Sequence, residues 1–131
     1  MKIKDILKEE KVHISFEVFP PKTDAGYESV LRATEKIAAL KPAFMSVTYG
    51  AGGGTSKNTA SIASQIQDDF HVTSLAHLTC VSSTKEEVHT VIENLKEKGL
   101  ENIPIFRKTC QKSRFSPLLK KISCQKIPMF C

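Results

Sequence analysis

With 131 residues, 40% hydrophobic and 25% charged, the chain has the size and composition of one soluble globular domain, and no apolar run approaches the roughly 20 residues of a membrane helix. The charged start, Met1-Lys-Ile-Lys-Asp-Ile-Leu-Lys-Glu-Glu10, lacks the apolar centre of a secretory signal, which points to a cytoplasmic protein. The net charge of +5 does not make the chain a nucleic-acid binder, because residues 104–131 carry seven basic side chains and no acid, leaving a net −2 on the first 103.

The first predicted element is a strand over 13–20, where Ile14, Phe16 and Val18 alternate with Ser15, Glu17 and Phe19. Pro20-Pro21 stops it. A helix follows, with Thr23 or Asp24 as its cap and Tyr27, Val30, Leu31, Thr34, Ile37 and Ala38 as its buried stripe, up to Lys41-Pro42. Phe44 to Tyr49 reads as a second strand and Gly50–Gly54 as a loop. Thr55 or Ser56 then opens a second helix with Thr59, Ile62, Ala63, Ile66 and Phe70 on one face. A third strand covers 72–80. Thr84-Lys-Glu-Glu87 is a capping box, Val88, Val91, Ile92 and Leu95 carry the third helix, and Gly99 stops it. Asn102 and Ile103 read as the start of a fourth strand.

Three β-then-α units imply an α/β fold with parallel strands and right-handed crossovers. A doubly wound sheet and a TIM barrel both fit this pattern, and the first turn holds no G-x-G-x-x-G. From Pro104 the rhythm stops, and composition and charge change together. Cys110, Cys124 and Cys131 all lie beyond that point, whereas Cys80 is alone in the body and reads as a buried thiol. Residues 104–131 are therefore expected to be a basic tail outside the pattern, as after a reading-frame shift or premature end.

Ligands of parallel α/β proteins bind at the carboxyl ends of strands. Glu17, Thr48, His77 and Thr79 fall there. Ile14, Phe16 and Val18 would pack on the helices, so Glu17, on the opposite parity, would face inward, where partial desolvation suits a general acid; an ion-paired or solvated strand end is the alternative. His77 either donates to a ligand or satisfies a backbone carbonyl. His13, His71 and His89 read as structural or solvent-facing. The Gly50–Gly54 loop can approach a ligand closely, although it lacks the Gly-Lys-Ser/Thr of a nucleotide-triphosphate loop. No His/Cys/Asp/Glu cluster has metal-ligand spacing, so no metal is expected.

Three segments in order, Ser15-Phe-Glu-Val-Phe-Pro-Pro21, Lys41-Pro-Ala-Phe-Met-Ser-Val-Thr-Tyr-Gly-Ala51 and Ala76-His-Leu-Thr-Cys80, resemble the methylenetetrahydrofolate reductase family. The resemblance covers residues 1–103 and implies a TIM barrel, here about its first three βα units and the start of strand four. It implies FAD at the strand ends, NADH or NADPH as hydride donor, and reduction of 5,10-methylenetetrahydrofolate to 5-methyltetrahydrofolate in one-carbon metabolism and methionine biosynthesis. Glu17 matches the family's acid. Thr48, Tyr49, Ala51 and His77 match its flavin-site contacts. A homo-oligomer is compatible with the family.

Gly99-Leu-Glu-Asn-Ile103 supplies the family's lead-in to strand four, but Pro104-Ile-Phe-Arg-Lys108 departs from the Leu-Arg-Gly-Asp segment that follows it there. The isolated chain is accordingly expected to be a colourless, inactive portion of a reductase. The alternatives are a non-catalytic truncated product and, ranked last, a module whose basic tail binds nucleic acid or an acidic partner.

Overall fold

The computed structural model describes residues 1–49, 56–80 and 83–106. The elements are α1 (Ile3–Ile6), β1 (Ser15–Val18), α2 (Tyr27–Ala38), β2 (Phe44–Val47), α3 (Ser56–Asp68), β3 (Ser74–Ala76), β4 (Leu78–Thr79), α4 (Lys85–Glu97) and β5 (Ile105–Phe106). No described helix is long and apolar enough to cross a membrane.

Every strand pairing among the described residues is parallel. β1 lies on β2 with Glu17 opposite Ser46 and Val18 opposite Val47. β2 lies on β3 with Ser46 opposite Leu75 and Val47 opposite Ala76. β3 and β4 act as one strand: His77 N donates to Val47 O on one side (3.0 Å), while Ala76, Leu78 and Cys80 donate to Asn102, Pro104 and Phe106 carbonyls on the other (3.0, 3.0 and 3.1 Å). The ladder therefore continues past the point where the sequence pattern loses its rhythm. Pro104 accepts from Leu78 but has no N–H to return a bond, which narrows the recognisable pairing to Leu78–Thr79 with Ile105–Phe106.

The strands thus run in chain order across the sheet, and α2, α3 and α4 pack on one face of it. Val18, Met45, Val47 and Ala76 share a core with Ala38 of α2, Ile62, Ala63 and Ile66 of α3, and Val88, Ile92 and Leu95 of α4. A doubly wound sheet needs helices on both faces; among the described residues the long helices cover one.

Local sequence explains most boundaries. Thr84 and Glu87 form both bonds of the capping box, Glu87 N to Thr84 Oγ1 at 3.2 Å and Thr84 N to Glu87 Oε2 at 2.7 Å. Gly99 (φ 68°) closes α4: its N–H bonds Lys96 O and that of Leu100 bonds Leu95 O, the paired pattern of a Schellman motif. Lys41 and His71 take the same left-handed conformation after α2 and α3.

Three expectations need correction. Ile14 precedes β1 and is 62% exposed, so it does not pack on the helices with Phe16 and Val18. Thr23 makes no side-chain cap, and a 3₁₀ turn (Asp24–Gly26) leads into α2 instead. Cys80 is half-buried. The charged N-terminus contains α1, whose Ile3 and Ile6 are buried against Leu75, with Ala43 and Phe44 alongside.

Asn102 fastens that short helix to the sheet. Its Oδ1 accepts from Ile3 N (3.0 Å), and its Nδ2 donates to Met1 O (3.1 Å) and Ser74 O (3.2 Å). A four-residue helix has no stability of its own. Asn102→Ala removes the partner of the partly buried Ile3 N–H and Ser74 carbonyl and is expected to cost about 2 kcal/mol, with Asn102→Asp recovering the Ile3 bond alone. Urea denaturation midpoints of the three chains check this, and an unchanged midpoint in the alanine variant contradicts it.

Candidate functional site at the carboxyl edge of the sheet

The two-residue period of a strand divides these side chains between two faces. Phe16, Val18, Met45, Val47, Ser74 and Ala76 belong to the helix side, by register and by packing. Glu17, Ser46 and Leu75 form a row on the other side, with Thr48 and His77 of the same parity one step nearer the carboxyl ends. α1 covers the amino-terminal end of this second face through Leu75 and Phe44. The carboxyl end remains open among the described residues: Phe19 is 67% exposed and Phe106 is 49% exposed.

Glu17 and His77 meet there. Glu17 Oε1 lies 3.8 Å from His77 Nδ1, although β2 separates their strands. Neighbouring strands are about 4.8 Å apart. The contact therefore spans two strand spacings, which a glutamate can reach over the small Ser46. At 3.8 Å the pair is too long for a hydrogen bond. The Glu17 side chain keeps 44% of its exposure, while that of His77 keeps 18%.

Burial lowers the pKa of His77 below the ordinary histidine value, and the neighbouring Glu17 carboxylate opposes this only in part. The imidazole is therefore uncharged at neutral pH. Its folded pKa is depressed, so as pH falls the unfolded chain takes the proton first. Stability is intact above the ordinary value near 6.5 and is lost as pH falls through the folded value.

Thr48 closes the end of β2. Its N–H and its Oγ1 both donate to Val18 O at 2.9 Å, and its carbonyl accepts from Thr59 Oγ1 at 2.9 Å. Thr59, which the helical pattern places on an apolar stripe, thus ties α3 to the strand end. Tyr49 packs against the helix-side core, away from Glu17 and His77. Ala51 and the rest of the Gly50–Gly54 loop lie outside the described residues, as does the tail from Arg107 onward. Sequence reasoning missed Phe106, whose ring meets the His77 ring edge-on at 5.2 Å between centroids and 63° between planes. Its only signal is the parity it shares with Thr79 across the β4–β5 register, masked in the sequence by the adjoining proline.

A parallel sheet wound in one direction, with polar groups gathered at its carboxyl edge, is the architecture of an α/β enzyme site. A profile of the family Methylenetetrahydrofolate reductase matches residues 2–109. The chain is 34% identical over 106 residues to Methylenetetrahydrofolate reductase (NADH) 1 of Arabidopsis thaliana, covering 81% of this chain and 18% of the relative. It is 34% identical over 97 residues to 5,10-methylenetetrahydrofolate reductase of Escherichia coli, 74% of this chain and 33% of the relative. Against Methylenetetrahydrofolate reductase 1 of Schizosaccharomyces pombe the identity is 38% over 112 residues, 82% and 19%. The chain belongs to the methylenetetrahydrofolate reductase family, and it spans between about a fifth and a third of the length of these relatives.

Glu17→Gln removes the one interaction that raises the pKa of His77, so the imidazole is expected to titrate at a still lower pH. A pH series of His77 ring chemical shifts in the two chains measures this. An unchanged or higher midpoint would mean that the two groups are not coupled.

Proposed function

We propose that the chain forms the opening portion of a flavin-dependent methylenetetrahydrofolate reductase: a partial TIM barrel whose residues 1–103 carry part of the flavin and folate site. The observation that carries this reading is the meeting of Glu17 and His77 on the uncovered face, at the strand ends where barrel enzymes bind their ligands. A closed barrel needs eight strands, and the described residues supply four strand positions. The described residues would therefore carry only part of such a site.

The rim suits a flat, partly polar ring. Phe19 and Phe106 offer exposed apolar surface, His77 is an uncharged polar group, and Glu17 is a carboxylate within its reach. Bound FAD would supply the hydride carrier between NADH or NADPH and the folate; the name of the plant relative specifies NADH, which favours NADH here. Glu17 would give a proton to the folate and so help open its five-membered ring, and His77 and Thr48 would line the flavin. Tyr49 and Ala51 are assigned to flavin contact by motif. Thr48 performs that role while its hydroxyl hydrogen stays on Val18 O. The substrate is a small molecule, and neither nucleic acid nor membrane enters the reading.

The purified chain is expected to be colourless; stoichiometric FAD would contradict its incompleteness. A chimera carrying residues 2–109 in place of the matched part of the E. coli relative tests the chemistry. It is expected to hold FAD, and its Glu17→Gln form to keep the flavin band while folate reduction falls about a hundredfold or more. A flavin-loaded chimera whose Glu17→Gln form reduces the folate at full rate contradicts the assignment.

A further inference from the structure

We propose that Phe106 is a positioning residue that holds the His77 imidazole turned toward Glu17 at the carboxyl edge of the sheet. This deepens the reductase reading and rests on it for the use to which His77 is put. The β4–β5 register sets Phe106 opposite Thr79, so its ring projects on the same face as His77, one step along the neighbouring strand. The backbone bond from Cys80 N to Phe106 O (3.1 Å) fixes that placement. The ring edge then meets the imidazole at 5.2 Å and 63°, a favourable geometry for two aromatic rings.

His77 is thereby flanked on both sides. Glu17 approaches Nδ1 from β1 at 3.8 Å, and Phe106 stands against the ring from β5. Phe106 is half exposed, so its burial contributes little to the core. Its contact does two things to His77 instead: it restricts the ring's rotation and shields it from water. The partial burial of His77 at an otherwise open edge follows from that shield. Among the described residues Glu17 is the charged group that acts on His77, so a Glu17→Gln background separates shielding from charge.

The test uses the full chain without flavin and reads the His77 ring by NMR. In Phe106→Ala the titration midpoint is expected to rise toward the ordinary histidine value, in both the native and the Glu17→Gln backgrounds, and the ring-current offset of the imidazole protons to vanish. Phe106→Tyr is expected to restore midpoint and offset. Phe106→Leu is expected to restore the midpoint in part and leave the imidazole averaging between orientations. An unchanged midpoint and offset in Phe106→Ala overturns the proposal, as does full restoration of a fixed orientation by leucine, which would reduce Phe106 to filler. The Cys80 amide shift reports whether β4–β5 pairing survives each substitution. Because no flavin is present, these results decide the role of Phe106 whether or not the edge binds FAD. Failure of the reductase reading would show separately, as a chimera that holds no FAD, and failure of the His77 assignment as flavin binding indifferent to His77→Ala.

Discussion

The structure depends on one steric consequence of its winding: with α2, α3 and α4 against the same side of a parallel sheet, alternate residues of each strand point away from these three helices, and among the described residues only the short α1 packs on that other face, at its amino-terminal end. Val18, Val47 and Ala76 sit on the covered side and build the core. Glu17, Thr48 and His77 are one residue removed from them and fall on the other. A strand shifted by a single residue would exchange these sets and bury a carboxylate beneath helices. The apolar residues that make the fold therefore also place the polar ones.

The two ends of the uncovered face are unequal, and this gives the site its position. At the amino ends of the strands, α1 lays Ile3 and Ile6 on Leu75, and Asn102 fixes the helix by three hydrogen bonds. At the carboxyl ends Thr48 and Thr59 secure the backbone while Glu17, Phe19 and Phe106 stay exposed. Among the described residues one end is closed by packing and the other is open. His77 stands between these regimes: buried enough to remain uncharged, and close enough to Glu17 to feel its charge.

Much of this was legible in the residues. The order of strands and helices, the Thr84–Glu87 box and the Gly99 stop follow from short-range patterns, because each is a bond or a backbone angle set within a few residues. The facing of Glu17 followed from parity. Tertiary partners were not legible. Nothing near Asn102 announces that it binds Met1 and Ile3 a hundred positions away, and nothing in Thr59 distinguishes a hydrogen-bonding hydroxyl from a small filler. Pro104 hid β5, since the lost N–H weakens a strand signal without preventing its carbonyl from being used. Ile14 misled for the opposite reason: its alternation is right, but it lies before β1 begins and is left largely exposed.

The nuclear Overhauser contacts of the His77 ring protons test the face assignment most directly. Cross-peaks to the Glu17 methylenes and the Phe106 ring are expected, and none to Ile62 or Ile66 of α3. Cross-peaks to those α3 side chains would put His77 under the helices and remove the basis for a flavin site at this edge.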